Sequence, residues 1–392
     1  MSTVPAPSAW SACMSELAAA GDRLAAELRD RGEPDADVDS SVALLGSLMH
    51  AFLTHLAAEP EHPTFLPSVG YYQHVGTPNP DTIYRTTALD GSGTYRLTGD
   101  RGTVPHVTFM PFGGRTAAGL QTFAPFDLSD VHVGPDGRFD VLMSAERPEG
   151  YTGDWWQLDP GMRSLMLRSV SDDWGTHREP LVAIVRLDSP PRRPRSSNDR
   201  VRGKFAGLAA MVEGAIVYGV RHADQLRADG VVNRVTLVDY SANGGLANQW
   251  YHEGLFDFDE HAALLVEAAL PPGCDSFSLS LTDRMFCTVD WVNAQSSLTR
   301  RQAILDDDGG LRVVVAHTDP GVPNWLDTTG CATGVLQCRW TGSPTPPTVS
   351  SRVVAFDALR DHLPASTPTV TAEQRDQSLR DRKAGAQLRS LW

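Results

Sequence analysis

The sequence predicts a mainly β fold with α additions: two β-sandwich or jelly-roll-like domains joined by a helical segment. Helical periodicity is confined to an N-terminal arm, one central stretch and the C-terminal tail. Between them run short segments rich in β-branched and aromatic residues, separated by Gly, Asp and Pro at near-regular spacing, as sandwiches require. Alternating strand–helix units are absent from this pattern, which argues against a parallel doubly wound sheet. At 392 residues the chain also exceeds one ordinary core. The expected division is an N-terminal helical arm (1–61), a first β-domain (62–188), a linker and bridging helix (189–230), a second β-domain (231–357) and a C-terminal helical tail (358–392).

The first helix is expected from Ser8 to Arg31, with Trp10, Met14, Leu17, Leu24 and Leu28 on one apolar stripe. Arg31-Gly32-Glu33-Pro34 supplies its stop. Asp39 and Ser40 offer an N-cap for a second helix, which carries Leu45, Leu48, Met49, Phe52, Leu53 and Leu56 on one side and ends at Glu59-Pro60. His50 and His55 do not share a helix face, so they read as surface or core histidines rather than metal ligands.

Strands follow at Tyr95–Thr98, Val104–Met110, Phe139–Met143, Trp155–Leu158 and Ser164–Arg168, with Leu181–Leu187 expected to be a buried strand. Asp90-Gly91-Ser92-Gly93 and Pro135-Asp136-Gly137 are turn signals. Ser189–Ser197 has the composition of an exposed linker. The third helix, from Gly203 to about Ala228, buries Phe205, Leu208, Val212 and Ile216, stops at Asp229-Gly230, and is expected between the two β-regions. Further strands are expected at Asp275–Val289, Arg312–Ala316, Val335–Trp340 and Arg352–Phe356. In the first of these, Ser276, Ser278 and Ser280 alternate with Phe277, Leu279 and Leu281, the pattern of a half-buried strand. Asp306–Gly310 reads as a solvated turn rather than a calcium loop, because the EF-hand spacing is missing. Thr371–Leu388 is expected to be helical, with Glu373 and several arginines on its surface.

A formal charge of -14 and a pI near 5.2 argue against a nucleic-acid groove and against an anionic membrane surface. Five cysteines without a C-x-x-C pair suit a reduced, cytoplasmic protein. The first residues show no basic n-region followed by an apolar stretch, and no apolar run approaches a membrane span in length.

The segment Asn79-Pro80-Asp81-Thr82-Ile83-Tyr84-Arg85, followed by Asp90-Gly91-Ser92-Gly93-Thr94-Tyr95-Arg96, resembles the front part of an uncharacterised bacterial family, domain of unknown function 1214, often paired with type 1254. Ser278–Asp283 is similar to that family's second-domain opening strand, and Asp319-Pro320-Gly321-Val322-Pro323-Asn324-Trp325-Leu326-Asp327-Thr328 to its closing motif. The resemblance implies two β-sandwich or jelly-roll domains with helical connections. It implies no particular reaction.

Among motifs that carry chemistry, the sequence holds no G-x-S-x-G elbow, H-E-x-x-H, Walker loop or helix-opening G-x-G-x-x-G. One candidate site is Asn79, Asp81, Tyr84 and Arg85, on a pocket rim that also includes Tyr71, Tyr72 and His74. Arg85 can grip an anion at two points, Tyr84 can donate a proton or bind an oxyanion, and Asp81 can steady Arg85. Alternatively, Asn79 and Asp81 cap a Pro-bracketed turn and Tyr84 starts a strand. Regular strand geometry would send Tyr84 and Arg85 to opposite faces unless a bulge re-aims one. A second candidate groups Asn324, Trp325 and Asp327 with Trp291, Asn293, Arg300 and Arg301; here a loop plugged by a buried Trp is the structural alternative. His106 is either a general base or a core histidine. His252, Glu253, Asp257, Asp259, Glu260 and His261 match no metal-ligand spacing, so neither a metal nor a cofactor is expected.

The functional expectation is a small-molecule enzyme, an acid–base hydrolase, lyase or isomerase. Its pocket would lie in or between the β-domains, and its substrate would carry an anionic group. A non-catalytic small-ligand binder and an oligomerising structural protein are the alternatives, and a homo-oligomer is compatible with each.

Overall fold

The structure is a computed structural model that describes residues 8–31, 35–116, 119–241, 244–246, 249–274 and 276–389. Gly32–Pro34 and Asp275, invoked above as a helix stop and a strand start, lie outside the described residues. The fold is mainly β with helical additions.

Helix α1 (Ala9–Asp30) and α2 (Ala36–Ala51, continued by a π-helical turn Phe52–Leu56) lead into ten strands. These are β1 (Leu66–Pro67), β2 (Thr82–Ala88), β3 (Tyr95–Asp100), β4 (His106–Thr116), β5 (Gly119–Thr122), β6 (Phe126–Asp127), β7 (Arg138–Ser144), β8 (Asp154–Gln157), β9 (Ser164–Val170) and β10 (Leu181–Arg186). One sheet runs β1-β2-β9-β4-β5, with β6 also paired to β4; the other runs β10-β3-β7-β8. The two sheets share an apolar core that includes Leu97, Val107, Phe109, Phe139, Leu165 and Leu167. Strand β10 corrects the expectation of a buried strand. It lies at a sheet edge, and Leu181 and Val185 are 59% and 56% exposed.

Helices α3 (Asn198–Phe205) and α4 (Leu208–Ala228) occupy the predicted central helix, which is broken where Ala206 is extended and Gly207 takes a left-handed φ of 78°. Within Asn198–Ala228 an 18-residue window reaches a mean hydropathy of 1.2, so by length and composition alone this is the one passage among the described residues that would suit a membrane span. Helix α4 does not sit between two β-regions as expected. It packs with α1 and α2 around Leu24, Leu28, Ala43, Ile216 and Val220, and its Gly219 presses on the backbone of Met285. The predicted apolar stripe of α2 points inward only in part: Leu48 and Leu56 pack against a helical core, and half of the stripe is turned outward. The helix buries small residues, Ala36, Ser40, Ala43, Gly46 and Ser47, and leaves Leu45, Met49 and Phe52 exposed.

Nine strands follow: β11 (Thr236–Val238), β12 (Gln249–Asp257), β13 (Ala262–Ala269), β14 (Ser276–Asp283), β15 (Ser297–Thr299), β16 (Leu311–Ala316), β17 (Trp325–Asp327), β18 (Thr333–Thr341) and β19 (Thr348–Ala355). They form sheets β11-β12-β18-β14-β15 and β17-β16-β13-β19 around a second core that includes Phe277, Leu279, Leu281, Leu264, Val313 and Trp340. The predicted strand to Val289 ends at Asp283, whose carboxylate accepts the backbone N–H groups of Met285 (2.8 Å) and Cys287 (2.9 Å) and turns the chain.

The sandwiches meet along a polar seam. Ser278 bonds Asn79 at 3.1 Å, Thr288 donates to Pro78 O at 3.0 Å, and Arg339 donates to Thr77 O at 2.8 Å. Helix α5 (Ala372–Leu388), opened by a Thr371–Gln374 capping box, straps this seam. Here the expectation of surface arginines fails for Arg375 and Arg382, and Arg389, the C-cap just beyond, is buried with them. Arg375, Arg382 and Arg389 recur every seventh residue, so they share one side of the helical path, and they are 6%, 8% and 7% exposed. Arg375 binds Asp319 (2.9 Å) and Gln295 (2.6 Å) in the second sandwich. Arg382 bonds Trp291 O and Ser297 Oγ and lies 4.8 Å over Trp174. Arg389 reaches the first sandwich, at Glu179 (2.8 Å) and the carbonyls of Pro80 and Asp81 (3.0 Å each).

Candidate functional site

The residues singled out in the sequence are largely spent on internal bonds, and of the first group the Asn79 side chain holds the seam. Asn79 Oδ1 accepts the backbone N–H of Asp81 at 3.1 Å, as a turn cap does, as well as the Ser278 hydroxyl. Asp81 accepts Trp174 Nε1 at 3.1 Å; burial pushes its pKa up to about 7, against the opposing pull of Arg389. Strand β2 pairs with β9 in unbroken register from Thr82 to Ala88. No bulge re-aims a side chain, so Tyr84 and Arg85 leave opposite faces. Tyr84 Oη accepts the backbone N–H of Asn79 at 3.0 Å on the seam side. Arg85, only 2% exposed, donates to Pro180 O at 2.7 Å on the other side, and burial lowers its pKa. The two do not form a joint grip, and Asp81 does not hold Arg85. His106 opens β4 on the same face as Thr108, away from the core residue Val107.

The second predicted group is similarly spent. Asn324 accepts Ile304 N (2.8 Å) and donates to the carbonyls of Ile304 (2.6 Å) and Arg312 (2.9 Å). Trp325 donates to Ala316 O at 3.0 Å and lies 5.1 Å below Arg375. Asp327 accepts Thr329 N at 2.8 Å, and burial raises its pKa. Trp291 packs edge-on against Tyr71 at 5.6 Å, while Asn293 bonds the Tyr71 hydroxyl at 2.8 Å. Arg301 lies in an open groove of about 900 Å³ beneath α5, paired with Asp172 and Asp173 at 3.5 Å each. That groove is larger than the cleft described next. Its buried arginines, however, are already bonded to protein acceptors.

The acidic and histidine-rich stretch near His252 does not converge either. His252 points into the second core, where it accepts Trp340 Nε1 at 3.0 Å and burial lowers its pKa to about 4. Glu253, the next residue, points to the opposite face. Asp257 pairs with Arg227 at 2.7 Å, and Asp259 caps the turn at His261.

Glu253 is nevertheless the centre of an arrangement that sequence spacing did not reveal. Strand β12 places it opposite Gln337 of β18, so both rise from the same sheet face. Helix α4 brings His222, and the segment after β11 brings Tyr240. Tyr240 Oη donates to Glu253 Oε2 at 2.5 Å, and His222 Nε2 lies 3.0 Å from the same oxygen. Gln337 Nε2 donates to Tyr240 Oη at 2.7 Å. Glu253 is 2% exposed. Burial, followed by the adjoining carboxylate, pushes the Tyr240 phenol well above its usual range.

Tyr240 also lines a cleft of about 580 Å³ at the seam, together with Met110, Phe123, Leu246, Trp250 and Tyr251. That volume suits a small organic ligand, and the walls are mostly apolar with a few directed polar groups. Tyr251 is fixed by the backbone N–H of Leu246, which donates to its hydroxyl at 2.9 Å.

The architecture has a solved counterpart. An uncharacterised protein from Burkholderia cenocepacia, known from a crystal structure, is 26% identical and superposes with a TM-score of 0.81, covering 89% of this chain and 97% of that one. The VPA0106 protein from Vibrio parahaemolyticus is more distant, at 13% identity and a TM-score of 0.45, covering 79% of this chain and 96% of that one. No protein-family model and no curated protein matches the chain.

Proposed function

We propose that the protein is an enzyme that converts a small organic molecule by acid–base chemistry in the cleft between the sandwiches. The observation that carries this reading is the buried Glu253 carboxylate, bonded to both Tyr240 and His222 beside that cleft. Glu253 is the base. Tyr240 turns its hydroxyl from Glu253 to an oxygen of the substrate, which leaves the carboxylate oxygen able to take a proton. The raised phenol pKa keeps Tyr240 protonated for this task. His222 and Gln337 fix the geometry of the pair. Proton abstraction beside a carbonyl and activation of water both fit, so isomerase, lyase and hydrolase reactions all fall within the proposal. A small-molecule partner, a cytoplasmic setting and membership of the family of domain of unknown function 1214 belong to the same proposal; the last brings no reaction with it.

The test is to incubate the protein in D2O with a panel of carbonyl compounds and esters, reading deuteration and hydrolysis by NMR. Wild type should act on at least one compound, and Glu253→Gln should slow that reaction about 10²–10⁴-fold. Equal rates for wild type and folded Glu253→Gln on every compound would overturn the acid–base reading. Saturable binding without turnover would favour the ligand-binding alternative.

A further inference from the structure

We infer that Arg168 and Thr108 form an anion-binding subsite adjoining this cleft, and that its ligand is a carboxylate with an apolar body. The inference deepens the function proposed above and takes its cleft as the starting point. Strand β9 lies between β2 and β4, and the register sets Arg168 directly opposite both Tyr84 and Thr108. Thr86 stands one pair further along β2 on the same face, opposite Met166. This face looks away from the first core and into the seam.

Three polar atoms on it, Arg168 Nε, Thr108 Oγ1 and Thr86 Oγ1, are buried without a hydrogen-bond partner among the described residues. Thr86 as a whole is only 8% exposed. Buried donors are normally paired, so Arg168 and Thr108, which face each other across one strand pair, point to a missing partner; Thr86 lies two strands from Thr108 and one row away, too far to share it. The pair adjoins the cleft. Met110, which lines the cleft, follows Thr108 by two residues on the same face. Arg168 Nη2 donates at 2.8 Å to the carbonyl of Gly244, the residue before Gly245, which also lines the cleft.

Charge selects the ligand. Across the seam, Arg339 stands opposite Tyr251 in register and bonds Ser280 Oγ (3.0 Å) and Thr77 O (2.8 Å). Among the described residues, neither Arg168 nor Arg339 is bonded to a carboxylate, so two fixed cations face this space while Glu253 is held by Tyr240 and His222. A carboxylate fits the free Nε edge of Arg168, and the neighbouring Thr108 hydroxyl can donate to one of its oxygens. The apolar lining, Met110, Phe123, Leu246 and Trp250, sets the rest of the molecule as an alkyl or aryl body.

Calorimetric titration with phenylacetate, its amide and inorganic phosphate tests the inference on the intact protein. Phenylacetate should bind at least tenfold more tightly than the amide and than phosphate. Arg168→Met should abolish the preference for the carboxylate. Thr108→Val should weaken phenylacetate severalfold while leaving the melting temperature of the free protein unchanged or raised, because it removes an unpaired buried hydroxyl, whereas Thr86→Val should leave phenylacetate affinity unchanged. A purely structural threonine would show the reverse pattern. Equal binding of acid and amide, equal binding of phosphate, no binding of any probe, or full affinity in Thr108→Val would each overturn the inference. Turnover, measured beside binding, separates the two readings. If phenylacetate still prefers its site while no variant or substrate reveals turnover, the catalytic proposal fails and the anion subsite stands.

Discussion

Replacing Arg389 with methionine should test whether the α5 strap holds the seam. Arg389 and Glu179 form an ion pair at 2.8 Å with side chains only 4% and 2% exposed. The same guanidinium donates to the carbonyls of Pro80 and Asp81, and the second Glu179 oxygen is held by the Ser169 hydroxyl. Methionine fills similar volume but leaves Glu179 charged in a site without its cation. Removing one partner of a buried pair costs about 3–5 kcal/mol, and that range is the expected loss. Urea unfolding followed by tryptophan fluorescence suits the measurement, since Trp174 lies 6.0 Å below Arg389. Glu179→Gln removes the stranded charge, so the double variant Glu179→Gln/Arg389→Met should be more stable than the sum of its parts by roughly 2–3 kcal/mol. A loss below about 0.5 kcal/mol with strict additivity would show that this buried pair contributes nothing, and the strap argument would fail.

Two further predictions concern the turn and helix behind the proposed site. Burial raises Asp283 to a pKa of about 7, so folding favours its protonated form; that stabilisation is full below the unfolded pKa and is lost as pH rises through 7. Asp283→Asn should therefore stabilise the protein at pH 8 by up to about 4 kcal/mol, with the advantage vanishing near pH 4. A melting-temperature difference that does not change with pH would contradict this. On α4, a Cβ at Gly219 would lie 1.9 Å from Met285 O, whereas one at Gly214 would meet open space. Gly214→Ala should gain about 0.5–1 kcal/mol and Gly219→Ala should lose stability, a sign reversal that denaturant titration reads directly.

The sandwich architecture was legible because alternation and turn residues report locally. Phe277, Leu279 and Leu281 mark the face of β14 that builds a core. The same alternation made Ser278 and Ser280 look solvated, yet they are 4% and 0% exposed, since a second sandwich covers them. Sequence alternation records polarity, and only tertiary contact decides whether a polar face is wet. Exposed Leu45 on α2 and buried Arg382 on α5 are the helical versions of the same ambiguity. The opposed directions of Tyr84 and Arg85 followed from the period of a strand alone. The Tyr240–Glu253–His222 arrangement did not, because its members come from a loop, a strand and a helix with no fixed spacing. One signal was present: Gln337 and Arg339 set polar groups on the face opposite Leu336, Cys338 and Trp340, in a strand buried on both faces.

The strap also sets an order of events during synthesis. Arg389 lies 308 residues after Asp81, the carbonyl it holds. At about 5–20 residues per second, that separation is roughly 15–60 s of translation. All strands of the first sandwich lie between Leu66 and Arg186, so its core can close early in that interval. Its seam face cannot, for Glu179 and Trp174 wait uncovered until α5 has been made. A ribosome that stalls after β19 would therefore present two formed sandwiches with an acidic, tryptophan-lined joint still open to solvent and to other chains.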